Sequence, residues 1–145
     1  MSMPRPLLLR AALAINAVAA FAAGVMLFVA PGAIPAMVGI PLDRSQFFIA
    51  YLLAGSELGL SVAAALALKA SRDAVRVAVA SLAVMHVASG VGGALALEQG
   101  ASYLILWNVL ARVAIVALLI GGWFAMPVAP TTLRRSDQRN AERLP

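Results

Sequence analysis

The pattern of apolar and polar positions along this 145-residue chain divides it into four long apolar segments. They cover residues 7–30, 47–70, 73–97 and 102–126. Each is long enough to cross a bilayer as an α-helix, which needs about 20 mostly apolar residues. Because the connections between them are short, we expect neighbouring helices to run antiparallel. The pattern therefore predicts an all-α integral membrane protein, a four-helix up-down-up-down bundle over residues 1–130.

The segments outside these helices carry their own signals. Pro31 ends the first helix, and residues 31–46 combine prolines with apolar side chains. We expect this stretch at the membrane interface, either as a simple loop or as a lid over the bundle. Asp43 is a candidate cap for the second helix. Residues 131–145 are polar and basic, and we expect a disordered cytoplasmic tail there.

The composition changes the picture from a buried core to a membrane. Hydrophobic residues make up 63% of the chain and charged residues 12%. An ordinary soluble domain has about 25% charged residues. A chain of this length has too little polar surface to cover so many apolar side chains in water, so the bilayer must act as their solvent.

The net charge of +5 comes from basic residues at the helix ends rather than along one face. This distribution argues against nucleic-acid binding and leaves membrane lipids as the expected surroundings. The basic residues cluster before or at the start of the first helix, around the turn between the second and third, and in the tail: Arg5, Arg10, Lys69, Arg72, Arg76, Arg134, Arg135, Arg139 and Arg143. The other two connections hold only Asp43, Arg44 and Glu98. By the positive-inside rule, both termini are expected in the cytoplasm.

The chain has no cysteine and one histidine, His86. Disulfides, thiolate catalysis and cysteine-ligated metals are therefore excluded. A single histidine also argues against a zinc or haem site built by the protein alone. We expect no metal and no cofactor.

Every apolar segment carries polar side chains near its middle. These are Asn16 in the first, Glu57 and Ser61 in the second, His86 and Ser89 in the third, and Asn108 and Arg112 in the fourth. An ionisable group inside a bilayer costs about 2.5–3.5 kcal/mol on insertion scales, so such groups face one another or a wet cavity. At about 1.5 Å per residue, Asn16 lies about 14 Å from one membrane face and Glu57 about 15 Å from the other. This agreement in depth predicts one shared polar pocket.

Two interpretations of that polar layer stay open. In the first, Glu57 is a general acid or base, His86 carries protons and Arg112 assists them, while Asn16, Ser61, Ser89 and Asn108 bind a substrate. In the second, Glu57 and Arg112 form a buried ion pair that fixes helix order. Asn16, Asn108 and Ser89 would then make interhelical hydrogen bonds. Apolar residues would hold a bundle at lower desolvation cost, which favours the functional interpretation.

Gly55 and Gly59 flank Glu57 in a GxxxG arrangement. Such pairs let helices approach closely in membranes. The motif indicates tight helix packing and, more weakly, a homodimer that forms through the Gly55/Gly59 face.

Three stretches resemble the DoxX-like superfamily of small four-span bacterial membrane proteins. They are the alanine-rich helix from Arg10 to Pro31, the glycine-flanked Glu57 followed by a basic turn, and the pair Asn108 and Arg112 in the last helix. The resemblance implies a four-span fold in the bacterial cytoplasmic (inner) membrane. Some members of that superfamily are associated with quinone-linked redox or sulfur systems. The resemblance supplies no cofactor motif.

Three classes of function fit these residues. The leading hypothesis is a membrane-embedded enzyme that performs acid–base chemistry (isomerisation, cyclisation, ring opening or hydrolysis) on a lipophilic small molecule in an intrabundle pocket. The first alternative is a quinone- or lipid-binding small subunit of a membrane redox complex. The second is a proton-coupled carrier or a structural membrane protein.

Overall fold

A computed structural model describes residues 7–126, and within this range the chain folds as an all-α bundle. Its helices are α1 (Leu7–Val29), α2 (Ala33–Met37), α3 (Phe47–Ala67), α4 (Arg72–Glu98) and α5 (Ile105–Phe124). Four of them are long, and α2 is a short helix in the connection between α1 and α3. The predicted fold class is therefore confirmed. The expected basic tail, residues 131–145, lies outside the described residues.

The helix ends follow local chemistry. A 3₁₀ turn at Arg44–Gln46 introduces α3, and the Gln46 side chain accepts a hydrogen bond from the Asp43 backbone N–H at 3.0 Å. Ser71 caps α4, because its hydroxyl accepts a hydrogen bond from the Ala74 N–H at 3.4 Å. The α3 helix ends at Ala67 and α5 begins at Ile105, so both are a few residues shorter than the apolar segments that predict them.

The four long helices form a ring in the order α1, α3, α4, α5. The α1–α3 and α4–α5 pairs pack most extensively, α1–α5 less so, and α3–α4 least. Helices α1 and α4 therefore lie diagonally across the bundle. We call the end that holds Leu7, Ala67, Arg72 and Phe124 the terminal end, and the opposite end the loop end.

The terminal half of the bundle is filled by apolar side chains. Leu9 and Leu13 from α1, Val75 and Leu82 from α4, and Leu119 from α5 are fully buried and belong to one cluster. Small α3 residues, including Ala64 and Ala67, complete it. This cluster holds all four long helices together on the terminal side of the polar layer.

Glycines lie at the closest approaches between helices. These are not the two glycines of the GxxxG motif. A side chain at Gly122 would overlap the backbone of Leu9, and one at Gly24 would overlap Leu58. A third close approach joins Gly93 and Val109. By contrast, a Cβ added at Gly55 or Gly59 would meet nothing within 4 Å. Gly55 and Gly59 are exposed and do not mediate the tight helix packing within the single bundle, whereas the homodimer face stays a prediction.

The connection between α1 and α3 folds back against the loop end. Ile34 and Leu42 pack on a small cluster that contains Leu27. Gly39 has a φ of 78°, which favours glycine, and a side chain there would overlap Ser102 in the α4–α5 turn. The segment therefore lies across the loop end, where it contacts the α1–α3 pair and the α4–α5 turn.

Candidate functional site

A polar cavity of about 170 Å³ lies in the middle of the bundle. All four long helices contribute to its lining: Asn16, Ala19, Ala20, Ala23, Glu57, His86, Asn108, Ala111, Arg112 and Ile115. The structure thus brings five of the seven predicted site residues to one place. Ser61 and Ser89 are the two that do not line it.

A short hydrogen bond crosses the bundle diagonally between α1 and α4. The His86 Nε2 atom lies 2.6 Å from the Asn16 Oδ1 atom, and both side chains are buried. These two helices have no close backbone contact, so the side chains alone connect them.

Arg112 is held from three sides. Its Nε donates to Asn108 Oδ1 at 2.7 Å, one turn earlier on α5. Its Nη1 contacts the Met85 sulfur at 3.6 Å and lies 3.4 Å from His86 Nδ1. Among the described residues its Nη2 group has no hydrogen-bond partner. A fixed guanidinium with one unused pair of N–H donors is suited to bind an oxygen.

The contacts on the two nitrogens of His86 agree on one tautomer. Asn16 Oδ1 can only accept a hydrogen bond, so His86 Nε2 carries the hydrogen and donates it. His86 Nδ1 then accepts from the Arg112 Nη1 group, which has no lone pair to offer. A second N–H on this ring would face the guanidinium donors. The geometry therefore fits a neutral imidazole that links Arg112 to Asn16.

Glu57 is buried, with 8% of its surface exposed, yet its carboxylate forms no hydrogen bond or ion pair with any described residue. The direct Glu57–Arg112 ion pair of the structural interpretation is not formed. Both groups instead line the same space.

The amide of Asn16 adds an unused donor beside the cavity. Its Nδ2 atom is buried and has no hydrogen-bond partner. Leaving a buried donor unsatisfied costs about 1–3 kcal/mol. An unpaired donor on α1 and an unpaired acceptor, Glu57, on α3 are complementary to a bound water or a polar ligand group.

Ser61 and Ser89 have other partners. The Ser61 hydroxyl donates to the Ala17 carbonyl at 2.8 Å, which ties α3 to α1. The Ser89 hydroxyl contacts the sulfur of Met85 at 3.6 Å, one turn earlier on α4. Their expected substrate-binding role has no support from this placement, because both hydroxyls contact the protein outside the cavity.

Sequence reasoning did not identify Met85 or the α1 alanines as part of the site. Met85 is indistinguishable by pattern from other apolar residues of α4, although its sulfur contacts both Ser89 and Arg112. Ala19 and Ala23 belong to a small-residue face that indicates close helix approach. In the structure they line the cavity instead, because small side chains also leave space.

A second cavity, of about 340 Å³, lies between α4 and α5. Its lining is apolar apart from His86 and Arg112: Val87, Gly90, Val91, Ala94, Val109, Val113 and Val116. His86 and Arg112 therefore border both cavities. We call this second space the α4–α5 groove.

Helix α5 leaves room for these spaces on both of its sides. Its buried residues are Ile105, Leu119 and Gly122, so the stretch from 106 to 118 contains none. In that stretch Asn108 and Ala111, which line the polar cavity, are exposed. The polar cavity is therefore open to the outside of the bundle beside α5.

The surface around these openings is apolar. Large hydrophobic residues are exposed on every long helix, for example Val18 at 70%, Leu66 at 67% and Val84 at 69%. Each of the four long helices is long and apolar enough to cross a membrane. The fold defines a multi-pass membrane protein with a polar cavity inside a helical bundle.

Comparison of the chain with protein-family models, with curated proteins and with solved structures gives no match in any of the three. Within residues 7–126, no three histidine or acidic side chains come together as a metal ion would require. The function must therefore be argued from the site itself.

Proposed function

We propose that this chain is a membrane-embedded enzyme that performs acid–base chemistry on a lipophilic small molecule held in the polar cavity. The observation that carries the proposal is the unpartnered carboxylate of Glu57, which lines the same cavity as the Arg112 guanidinium. A structural ion pair would join these two groups directly. Separated across a cavity, they are both available to a ligand.

Arg112 binds the substrate oxygen in this proposal. Its Nε and Nη1 groups are occupied by Asn108, Met85 and His86, which fix the plane of the guanidinium. Its Nη2 group is left to donate to an oxygen. A fixed positive charge beside an oxygen that gains negative charge in the transition state is an effective catalytic device.

Glu57 moves the proton. For an isomerisation, its carboxylate takes a proton from the carbon next to a carbonyl, and the electron pair of the broken C–H bond forms a C=C bond to the carbonyl carbon. The carbonyl oxygen takes up the negative charge beside Arg112. Return of the proton from Glu57 to another carbon completes the reaction without a co-reactant. Cyclisation and ring opening use the same two groups.

His86 acts as a positioning residue rather than a proton carrier in this proposal. Both of its ring nitrogens are engaged, one by Asn16 and one by Arg112. It keeps Arg112 aimed at the cavity, and Asn108 does the same from α5. The unpaired Nδ2 of Asn16 offers a further donor to a polar ligand group.

For location, we propose the bacterial inner membrane with both termini in the cytoplasm. The exposed basic residues Lys69, Arg72 and Arg76 at the terminal end support this orientation. Arg72 also lies over the ring of Trp123, 5.7 Å from its centre, as expected of an interfacial aromatic residue. The four-span topology agrees with a DoxX-like relationship, which stays a proposal.

The test is proton exchange at carbon. The full chain, purified in detergent and transferred to D₂O, is incubated with long-chain β,γ-unsaturated ketones, and deuterium incorporation and double-bond migration are followed by NMR. The Glu57→Gln variant should lose about 10²–10⁴-fold in rate, the usual contribution of a general acid or base. Glu98→Gln is the matched control, because Glu98 is exposed at the loop end. Exchange that Glu57→Gln leaves unchanged would remove the carboxylate from the mechanism.

A second candidate function is a quinone-binding subunit of a membrane redox complex. The observation in its favour is the α4–α5 groove, an apolar space that borders a hydrogen-bond donor, Arg112. Organic extraction of the purified protein followed by mass spectrometry decides between the two. A quinone that copurifies with the wild type and with Glu57→Gln, but not with Arg112→Gln, would favour the binding subunit.

A further inference from the structure

We infer that the α4–α5 groove binds the hydrocarbon chain of the ligand whose oxygen is bound by Arg112. The ligand class is then a single-chain amphiphile with an oxygen-bearing head group. This inference rests on the proposed function, since it uses the same Arg112, and it adds the shape and chemical class of the substrate.

The groove exists because small side chains line α4 and short branched ones line α5. Gly90 and Ala94 add almost no bulk on one side, and Val109 and Val113 are short on the other. Gly93 lies close to Val109, so α4 and α5 are in close contact beside the groove near the loop end. The result is a narrow apolar space rather than a flat helix face.

The groove adjoins the polar cavity through shared residues. His86 and Arg112 line both spaces, and all other lining residues of the groove are apolar. A molecule with one polar end and an apolar remainder matches this division. The positive charge of Arg112 selects an anionic or carbonyl oxygen as the polar end.

The Arg112–His86 contact separates the groove from the polar cavity. It is the longer of the two contacts that Arg112 makes to a nitrogen or oxygen atom. Its Nη1 lies 3.4 Å from His86 Nδ1, whereas its Nε lies 2.7 Å from Asn108 Oδ1. A ligand oxygen bound by the unused Nη2 group leaves both of these contacts in place, so Asn108 and His86 continue to hold the guanidinium. The ligand head then reaches the side on which Glu57 lies.

The dimensions suit one chain. Groove residues run from 86 to 94 on α4, which corresponds to about 12 Å along a helix. The volume of about 340 Å³ lies at the lower end of the range of about 300–1,000 Å³ for small-molecule pockets. A transmembrane helix is about 10 Å across and does not fit such a space.

The chain offers a matched pair of variants for the test. A Cβ added at Gly90 or at Gly92 meets nothing within 4 Å, so both positions accept a larger side chain. Gly90 lines the groove and Gly92 does not. Gly90→Leu should fill the groove, and Gly92→Leu should leave it open on the same helix.

The experiment uses a photoactivatable probe, a long-chain methyl ketone with a diazirine at the end of its chain. The full chain in phosphatidylcholine nanodiscs is irradiated with this probe, and the labelled positions are mapped by mass spectrometry. Wild type and Gly92→Leu should be labelled within residues 87–94 or 109–116. Gly90→Leu should lose about tenfold or more of that labelling, because the leucine side chain occupies the space that the ligand chain would fill.

Three outcomes of the labelling experiment would overturn the inference. The first is equal labelling of Gly90→Leu and Gly92→Leu, and the second is labelling spread over all exposed faces. The third is a bound phospholipid in the groove, detected by native mass spectrometry, that the ketone does not displace. Deuterium exchange, measured on the wild type and on Gly90→Leu, separates this inference from the proposed function. Groove labelling without deuterium exchange in the wild type would refute the enzyme and leave the groove, whereas exchange that Gly90→Leu does not affect would refute the groove and leave the enzyme.

Discussion

The terminal half of the bundle and the polar layer above it are built from the same four helices but differ in how they fill space. In the terminal half, Leu9, Leu13, Val75, Leu82 and Leu119 are fully buried against one another. One or two helical turns further along, the helices enclose a cavity, an unpaired carboxylate and an unpaired amide nitrogen.

This difference separates what holds the bundle together from what the bundle holds. Apolar packing stabilises helix association in a bilayer without any desolvation cost. Buried polar groups stabilise it only when they are fully paired, and here Glu57 and Asn16 Nδ2 are not. Groups that do not meet their own hydrogen-bonding needs are expected at sites that bind something else.

The largest expected effect on stability lies in the packed half. Leu82→Ala, at a fully buried position, should lower the free energy of unfolding by about 2–3 kcal/mol. The loss should be in the lower part of the range for soluble proteins, because lipid is as apolar as leucine and only packing is lost. Unfolding by SDS titration in mixed micelles measures it.

The control for this change is Leu95→Ala on the same helix, where 51% of the side chain is exposed. That variant should stay close to the wild type. Equal destabilisation by the two variants would mean that the terminal half is not the packed core.

An intermediate effect is expected from the diagonal contact. A double-mutant cycle on Asn16→Ala and His86→Ala should give a coupling free energy of about 1 kcal/mol, the size found for interhelical hydrogen bonds in membranes. A cycle that combines Asn16→Ala with Leu95→Ala should give no coupling. A value of zero for the first cycle would show that the 2.6 Å contact does not contribute to folding.

The smallest effect on the fold is expected at Gly59. Gly59→Ile should leave the stability of the single bundle within about 0.5 kcal/mol, because nothing lies within 4 Å of the added Cβ. The predicted homodimer through the Gly55/Gly59 face should be lost, since the larger side chain keeps the two faces apart. Sedimentation in density-matched detergent measures the mass, and Gly92→Ile is the control. A dimer that survives Gly59→Ile would place the interface elsewhere.

Most of the fold follows from the sequence because hydropathy alone decides which segments enter a bilayer. The helix ends were less predictable. Leu68 and Ala70 are apolar, but α3 has already ended at Ala67, and residues 68–70 form tighter turn hydrogen bonds to carbonyls three residues earlier. Hydropathy does not indicate this change.

The depth of the site residues in the membrane could be predicted, but the rotation of each helix about its own axis could not. Counting residues from each helix end indicates that Asn16, Glu57, His86 and Arg112 share a layer, and the structure brings all four to one cavity. Counting residues does not indicate which of these side chains touch. The Asn16–His86 contact across the diagonal depends on the order of helices around the ring, which hydropathy does not encode.

The same limit explains the glycines and serines. GxxxG spacing at Gly55 and Gly59 indicates a small face but not its direction, and this face points outward. Ser61 shares a helix face with Glu57, one turn away, yet its hydroxyl meets the Ala17 carbonyl of the neighbouring helix instead of the cavity.

Helix α5 is supported near its two ends and bordered by open space between them. A solute dissolved among the lipid tails can thus approach Arg112 sideways, without first crossing water. Occupancy of the site then depends on the mole fraction of that solute in the bilayer. Adding empty lipid vesicles at a fixed total amount of solute should therefore dilute the solute and lower its binding to the protein.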